Sequence, residues 1–369
     1  MKLAITKDLF ALGLQAVQNV VGSRTTLPIL SNVLLQAEDN CLRLTATDLD
    51  VTVSCLVEAK VVRKGATTLP AKRLFSIVRE AAVGEIDLEA DDNNVCTLRS
   101  GPSLFKVRGL AAEDFPPVAP FEEPTPVTLP QERFRGMLRR CAFAASSDET
   151  RYVLNGIFFS LKEHKVAAVA TDGRRLALTD EEADIESAVS AEFIVPTKAV
   201  NELLRLLQDK GTAELRYTEN QAAFKLTDEK GGMILVTTKL VEGTYPNYQQ
   251  VIPRECKERV TLVREEFLHA LRRAEIMTSD KSNSVKLTFS RNSLVITANT
   301  PEVGEAHETV AINYKGNELA VAFNPSFLVE ALRALDTEEV FLELTDELSP
   351  GVLKINGPFL YVIMPMRTN

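Results

Sequence analysis

Tryptophan is absent from the 369 residues, and histidine occurs only three times, at His164, His269 and His307. Those three are too far apart in sequence to suggest a metal centre, and each reads as a surface or internally satisfied side chain. The five cysteines (Cys41, Cys55, Cys96, Cys141 and Cys256) are odd in number, scattered and never in a C-x-x-C pair. They read as reduced thiols, not as a disulfide framework or a zinc site. No apolar run approaches the ~18–20 residues that span a bilayer, so no membrane partner is expected. The opening MKLAITKDLF has no apolar signal region ahead of its charges, which predicts a mature, cytoplasmic chain. G-x-x-x-x-G-K-S/T, G-x-G-x-x-G, H-E-x-x-H and G-x-S-x-G are all missing. No cofactor, no metal and no catalytic centre are therefore expected. Asp91-Asp92 and Asp180-Glu181-Glu182 read as surface charge in turns. The enzymatic alternative is a hydrolase using a noncontiguous acid pair, Asp48 and Asp172.

Positive charge is also in deficit. The net charge is −9, which speaks against a nucleic-acid partner if the charge is evenly spread.

What is present is a repeat. The triplet Ala46-Thr47-Asp48 returns as Ala170-Thr171-Asp172, 124 positions later. The runs ahead of each, Asn32 to Asp48 and Asn155 to Asp172, have the pattern of a hairpin: β-rich run, polar turn, β-rich run. Ser284 to Thr300 is a weaker third copy. Upstream of the three hairpins lie helical patterns with Phe10, Phe134 and Phe267; Met137, Leu138 and Cys141 follow Phe134, and Leu271 and Ala274 follow Phe267. Downstream lie helical patterns opened by Pro70, Pro196 and Pro325, each expected at a first helical position. Leu203, Leu204 and Leu207 mark the apolar face of the middle one. One unit of roughly 120–130 residues thus occurs three times. Proline-rich joints fall at 115–127 and 245–258, and the expected domains are 1–121, 122–252 and 253–369. An acid seldom serves catalysis at one place in two domains, so Asp48 and Asp172 are expected to turn the chain after a strand.

The repeat also segregates charge. The six predicted helices sum to +5, so with −9 overall the remainder carries −14. Arg135 and Arg139 fall on the helix face turned from Phe134 and Leu138. A basic helical surface contacts phosphates without reading sequence, and no aromatic stacking platform accompanies it.

The residues resemble the bacterial DNA polymerase III beta subunit family, the processivity sliding clamps. The likeness covers the full chain. It is carried by TLPILSNVLLQ (26–36), LTATDLDV (44–51), TRYVLNGIFF (150–159), ATDGRRLAL (170–178), TKLVEGTYPNY (238–248), ITANTPE (296–302) and YVIMPMR (361–367). The resemblance implies an α+β fold of three tandem similar domains, the DNA clamp fold. Two chains close head to tail into a homodimeric ring, with helices lining the inside and antiparallel sheets outside. Such a ring holds duplex DNA without sequence specificity. It recruits the replicative polymerase, the clamp loader and repair factors through short linear peptides of glutamine and bulky apolar residues. A repeat-built interaction scaffold that never encloses DNA is the alternative.

Carried over residue by residue, the resemblance implies a peptide pocket. Leu154, Thr171, Gly173, Arg174, Arg175 and Leu176 come from the second repeat, with Pro246 and Val251 from the joint. Asn324, Phe327, Leu348 and the terminal Val362, Ile363, Met364, Pro365, Met366 and Arg367 complete it. Methionine suits a surface that accepts several ligands. Arg175 and Arg367 are expected to hold the peptide's polar atoms. The implied DNA-facing residues are Arg24 and Tyr152, joined by Arg73, Arg135, Arg139 and Lys198. The implied dimer seam sets Arg73 and Phe105 against Ile276, Met277, Glu302 and Glu305. Three departures are visible: Gln250 where a basic residue is common, Ser282 where an aromatic is common, and the additional Asn369.

Overall fold

A computed structural model describes residues 1–22, 27–82, 84–118, 126–185, 190–279 and 283–367. Arg24, Ser282 and Asn369 lie outside the described residues. The chain forms two compact units, Met1–Arg135 with Lys198–Leu240, and Gly136–Thr197 with Val241–Asn369.

Six α-helices sit where the repeat predicts them: α1 (Lys7–Val17), α2 (Ala71–Glu80), α3 (Gln131–Ala142), α4 (Thr197–Leu206), α5 (Arg264–Glu275) and α6 (Pro325–Ala334). Each buries one stripe. In α1 this is Phe10, Gly13, Leu14 and Val17, the i, i+3, i+4, i+7 spacing of an amphipathic helix. Gly13 is there because a Cβ would stand 2.3 Å from Leu44 Cδ1, so α1 can lie flush on its sheet. Phe134, Met137, Leu138 and Cys141 of α3, and Phe267, Leu271 and Ala274 of α5, are fully buried. In α4 the stripe is Ala199, Val200, Leu203 and Leu206; Leu207, just past the helix, is also buried, and Leu204 is only half-buried. Pro325 opens α6, but Pro70 and Pro196 end the strands just before α2 and α4. Both strands lie at sheet edges, where the missing N–H breaks no ladder bond.

Every strand pairing is antiparallel. The predicted hairpins close through two-residue turns at Asp39-Asn40, Glu163-His164 and Arg291-Asn292, with Asn40, His164 and Asn292 at positive φ. The first unit holds a five-stranded sheet ending in the edge strand Ser103–Arg108, and an eight-stranded sheet. The second holds an eight-stranded sheet and a four-stranded one ending in the edge strand Gly304–Ala311. The eight-stranded sheets do not respect the repeat. Met233–Lys239, the last strand of the second repeat, pairs with Val51–Glu58, the third strand of the first hairpin set. Leu360–Ile363, the last strand of the third repeat, pairs with Arg175–Glu182 in the second. Neighbouring repeats are therefore joined by continuous ladders, and that is why the compact units cut across the repeat.

The two ATD acids turn the chain. Asp48 Oδ1 accepts from the amides of Asp50 and Val51 at 3.1 and 2.8 Å, and Asp172 Oδ1 accepts from Arg174 and Arg175 at 2.9 and 3.1 Å. Asp91 does the same for Asn93 and Val95. Asp180, Glu181 and Glu182 are not in a turn: they end the strand Arg175–Glu182, and Asp180 pairs across it with Lys165 at 3.1 Å.

Candidate functional site

In the second unit, the turn after strand Lys165–Thr171 stands where the resemblance implies one wall of a peptide groove. Thr171 Oγ1 donates to Arg175 O at 2.5 Å and accepts from the Gly173 amide at 3.1 Å. Gly173 takes φ +86°, and a Cβ there would meet Arg151 Nη1 at 3.0 Å. The terminal segment continues the ladder past its strand: the Met364 amide donates to Arg174 O at 3.0 Å, and the Met366 amide to Ala322 O at 2.8 Å.

Beneath the turn lies an apolar floor of Leu154, Phe158, Val169, Leu176, Ile194, Tyr245 and Val362. Phe158 stacks on Tyr245 with centroids 4.9 Å apart. Burial pushes the Tyr245 hydroxyl above the ordinary tyrosine range, so it stays neutral. Above the floor, large apolar side chains remain open to solvent: Val251 is 48% exposed, Leu348 64% and Met364 43%. Pro246, Arg174 and Arg367 are exposed and Pro365 is half-buried. All the pocket residues implied by the resemblance lie in this unit. Leu154, Leu176 and Val362 belong to the apolar cluster, Thr171 and Ile363 are buried, and Met364, Met366 and Leu348 are exposed.

Two of those residues are already occupied. Arg175 is buried, so it does not serve as a free hand for peptide atoms. Its Nε donates to Asp172 at 3.0 Å, Nη1 to Glu330 at 2.5 Å and Nη2 to Phe143 O at 2.7 Å. Its guanidinium lies 4.3 Å from the Phe327 ring centroid. It pins the turn to α6 and holds Phe327, half-buried, at the groove. Asn324 caps α6, its Oδ1 accepting from the Ser326 amide at 3.0 Å. Phe158, Ile194 and Tyr245 were missed by sequence reasoning. The signal was present in GIFF and the Tyr-Pro turn, but alternation alone does not say which face of a sheet a later joint will cover.

The DNA-facing candidates fall in both units. Arg73 on α2 and Tyr152 in the 3-10 turn Glu149–Leu154 are exposed. Arg135 and Arg139 do lie on the face opposite Phe134 and Leu138, but both are paired. Arg135 meets Asp209 at 2.7 Å, and Arg139 meets Asp336 while donating to Ala334 O at 3.1 Å. Lys198 is paired with Asp48. The cations of these pairs keep side-chain exposures of 37%, 41% and 51%, so each pair is partly solvated and weak. Lys72 on α2 and Arg272 on α5 are further exposed helix cations. Of the seam candidates, Phe105 lies in the edge strand Ser103–Arg108 and is 38% exposed. Ile276 follows α5 and is 71% exposed, and Met277 beside it is half-buried. Glu302 and Glu305 are exposed at the start of the edge strand Gly304–Ala311. No group of three or more His, Cys, Asp or Glu residues that could hold a metal occurs among the described residues. No helix among them is long and apolar enough to cross a membrane.

Comparison with known proteins agrees with this architecture over the whole chain. Models of the N-terminal, central and C-terminal domains of the DNA polymerase III beta subunit match residues 1–119, 128–247 and 249–367. The beta sliding clamp of Chlamydia muridarum is 35% identical over 367 residues, covering 100% of this chain and 99% of that protein. The beta sliding clamp of Escherichia coli K12 is 35% identical over 371 residues, covering 100% of each. The crystal structure of the Bacillus subtilis sliding clamp superposes with a TM-score of 0.94 at 28% identity, and that of the Pseudomonas aeruginosa clamp bound to griselimycin with 0.93 at 33%, each covering 100% of both chains. Three tandem α+β repeats, ladders that join one repeat to the next, and this full-length likeness place the chain in the DNA polymerase III beta subunit family.

Proposed function

We propose that the protein is the processivity clamp of a replicative DNA polymerase. It is a non-catalytic, cytoplasmic subunit that encircles duplex DNA as a head-to-tail homodimer and tethers its partners by short peptides. The three clamp domains are assigned to 1–121, 122–252 and 253–369.

The observation that carries the ring is the ladder pattern. The last strand of the second repeat pairs with the fourth strand of the first, and the last strand of the third repeat with the fourth strand of the second. Continued once more, the rule pairs Ser103–Arg108 of one copy with Gly304–Ala311 of another. Both strands lie at sheet edges. An edge carrying exposed Phe105, and a second edge in the unit that exposes Ile276, suit a partner, and a heterologous contact that closes after two copies covers both of these edges. Three repeats in each of two copies then give six domains around one hole. Arg73, Arg135, Arg139, Lys198, Tyr152 and the unplaced Arg24 are assigned to its DNA face.

The groove beside Gly173 is assigned to the partner peptides. Its exposed apolar lips over an aromatic floor suit bulky side chains, and Arg174 and Arg367 suit the peptide's carbonyls or carboxylates. A labelled synthetic peptide carrying glutamine, leucines and phenylalanine should bind the protein. Met364→Asp, at an exposed lip, should weaken that binding by about tenfold or more without unfolding the chain. Unchanged affinity in a folded variant would remove the groove from this role.

A further inference from the structure

The two joining ladders have the same register beyond their strands. In the second unit, Val362 faces Leu176, Ile363 faces Arg175, and the Met364 amide donates to Arg174 O. In the first, Thr237 faces Thr52, Thr238 faces Val51, and the Lys239 amide donates to Asp50 O at 2.9 Å. The counterparts of Thr171, Gly173, Arg174, Leu176, Val362 and Met364 are therefore Thr47, Leu49, Asp50, Thr52, Thr237 and Lys239. All six of the latter line one cleft of about 150 Å³, with Pro116, Pro117 and Val118 as its outer wall. The first unit thus builds the backbone of a second peptide groove.

Its side chains are of another kind. Leu49 holds φ +81° where Gly173 holds +86°, a conformation that disfavours any residue with a Cβ. It does so while 45% exposed, so core packing is not what retains it. The floor is hydroxylic where the other is apolar. Thr47 Oγ1 lies 2.8 Å from Thr52 Oγ1 and 3.2 Å from Val51 O, so these groups are already satisfied. Lys239 Nζ reaches Asp50 Oδ1 at 3.0 Å, an ion pair that Met364 and Arg174 at the matching positions cannot form. A bulky apolar side chain entering here would displace Leu49, separate the Lys239–Asp50 ion pair and meet hydroxyl groups in place of an apolar floor.

We infer that Leu49, Thr52, Thr237 and Lys239 exclude apolar partner peptides from the first groove, so that each chain presents one peptide site instead of two. This rests on the assignment of the second groove to partner peptides. Exclusion of this kind is specificity by obstruction: the scaffold is copied, and side chains at four registers decide which copy is open.

The test titrates the full-length protein with the labelled glutamine-, leucine- and phenylalanine-containing peptide, reading affinity by anisotropy and stoichiometry by calorimetry. The native protein should bind one peptide per chain, and Met364→Asp should remove it. In the Met364→Asp background, Leu49→Gly/Thr52→Leu/Thr237→Val/Lys239→Met should restore binding at least about tenfold over Met364→Asp alone. Leu49→Gly/Lys239→Met, which alters only exposed positions, guards against loss of fold and should restore part of it. Native stoichiometry of two, or folded variants that bind no better than Met364→Asp, would overturn the inference. If Met364→Asp left native binding intact, the groove assignment itself would fall, and this inference with it.

Discussion

Arg175 shows how a side chain that reads as a ligand contact can instead be committed to the fold. Its three donor nitrogens are spent on Asp172, Glu330 and Phe143 O, and its flat face on Phe327. Arg175→Ala should cost about 2–4 kcal/mol in denaturant unfolding, because it strands two carboxylates and a carbonyl. Lysine should not rescue it, since an ammonium can neither fork nor stack. Stability unchanged in either variant would contradict this role. Burial also sets the chemistry of the thiols. Cys55 and Cys96 are pushed up to about 12 by desolvation. A raised folded value leaves these thiols neutral while the unfolded chain ionises above about 9. Their contribution is therefore complete below pH 9 and lost as pH rises toward 12. Thermal stability should hold from neutrality to about pH 9 and fall beyond it. Half-buried Cys41 and Cys256 should be the first thiols to react with an aromatic disulfide reagent, ahead of the three buried ones.

Among the elements, the edge strands Ser103–Arg108 and Gly304–Ala311 make the sharpest demand. Phe105→Asp with Ile276→Asp alters only exposed side chains, so each chain should stay folded within about 0.5 kcal/mol. The assembly should nevertheless shift in sedimentation from twice 40.7 kDa to the single-chain mass. A native protein sedimenting as one chain would contradict the closed ring. Much of this level was readable from sequence alone. Phenylalanine at the same point of three helices and a polar pair between three pairs of β-rich runs gave element type and order, because helix and strand periods are local. What was not readable is long-range. Asp209 and Asp336 lie far along the chain from Arg135 and Arg139, so helix phasing found the face but not the ion pairs on it. The same distance hid Glu330 from Arg175, which read as a free cation. The prolines were placed one residue late because Pro70 and Pro196 complete edge strands before their helices start. The groove was found through resemblance; no periodicity brings Met364 beside Arg174, since only the ladder between repeats does so.

For the whole molecule, a net charge of −9 and a DNA partner are compatible if the charge is sorted by element. The helices are net positive, while strands and turns together carry the net negative charge. Contacts made by exposed Arg73, Lys72 and Arg272, and by partly solvated pairs such as Lys198–Asp48, are individually weak and screened by salt. A closed ring needs nothing stronger, because topology rather than affinity retains the duplex. The most direct measurement of that claim loads labelled protein onto a nicked circular duplex with a clamp loader and ATP. Free protein is removed by gel filtration, and the circle is then cut once with a restriction enzyme. The account predicts that protein retained on the circle at salt high enough to break surface contacts leaves as soon as the DNA is linear. Equal retention on circle and line would contradict encirclement and would make this chain a contact-binding scaffold.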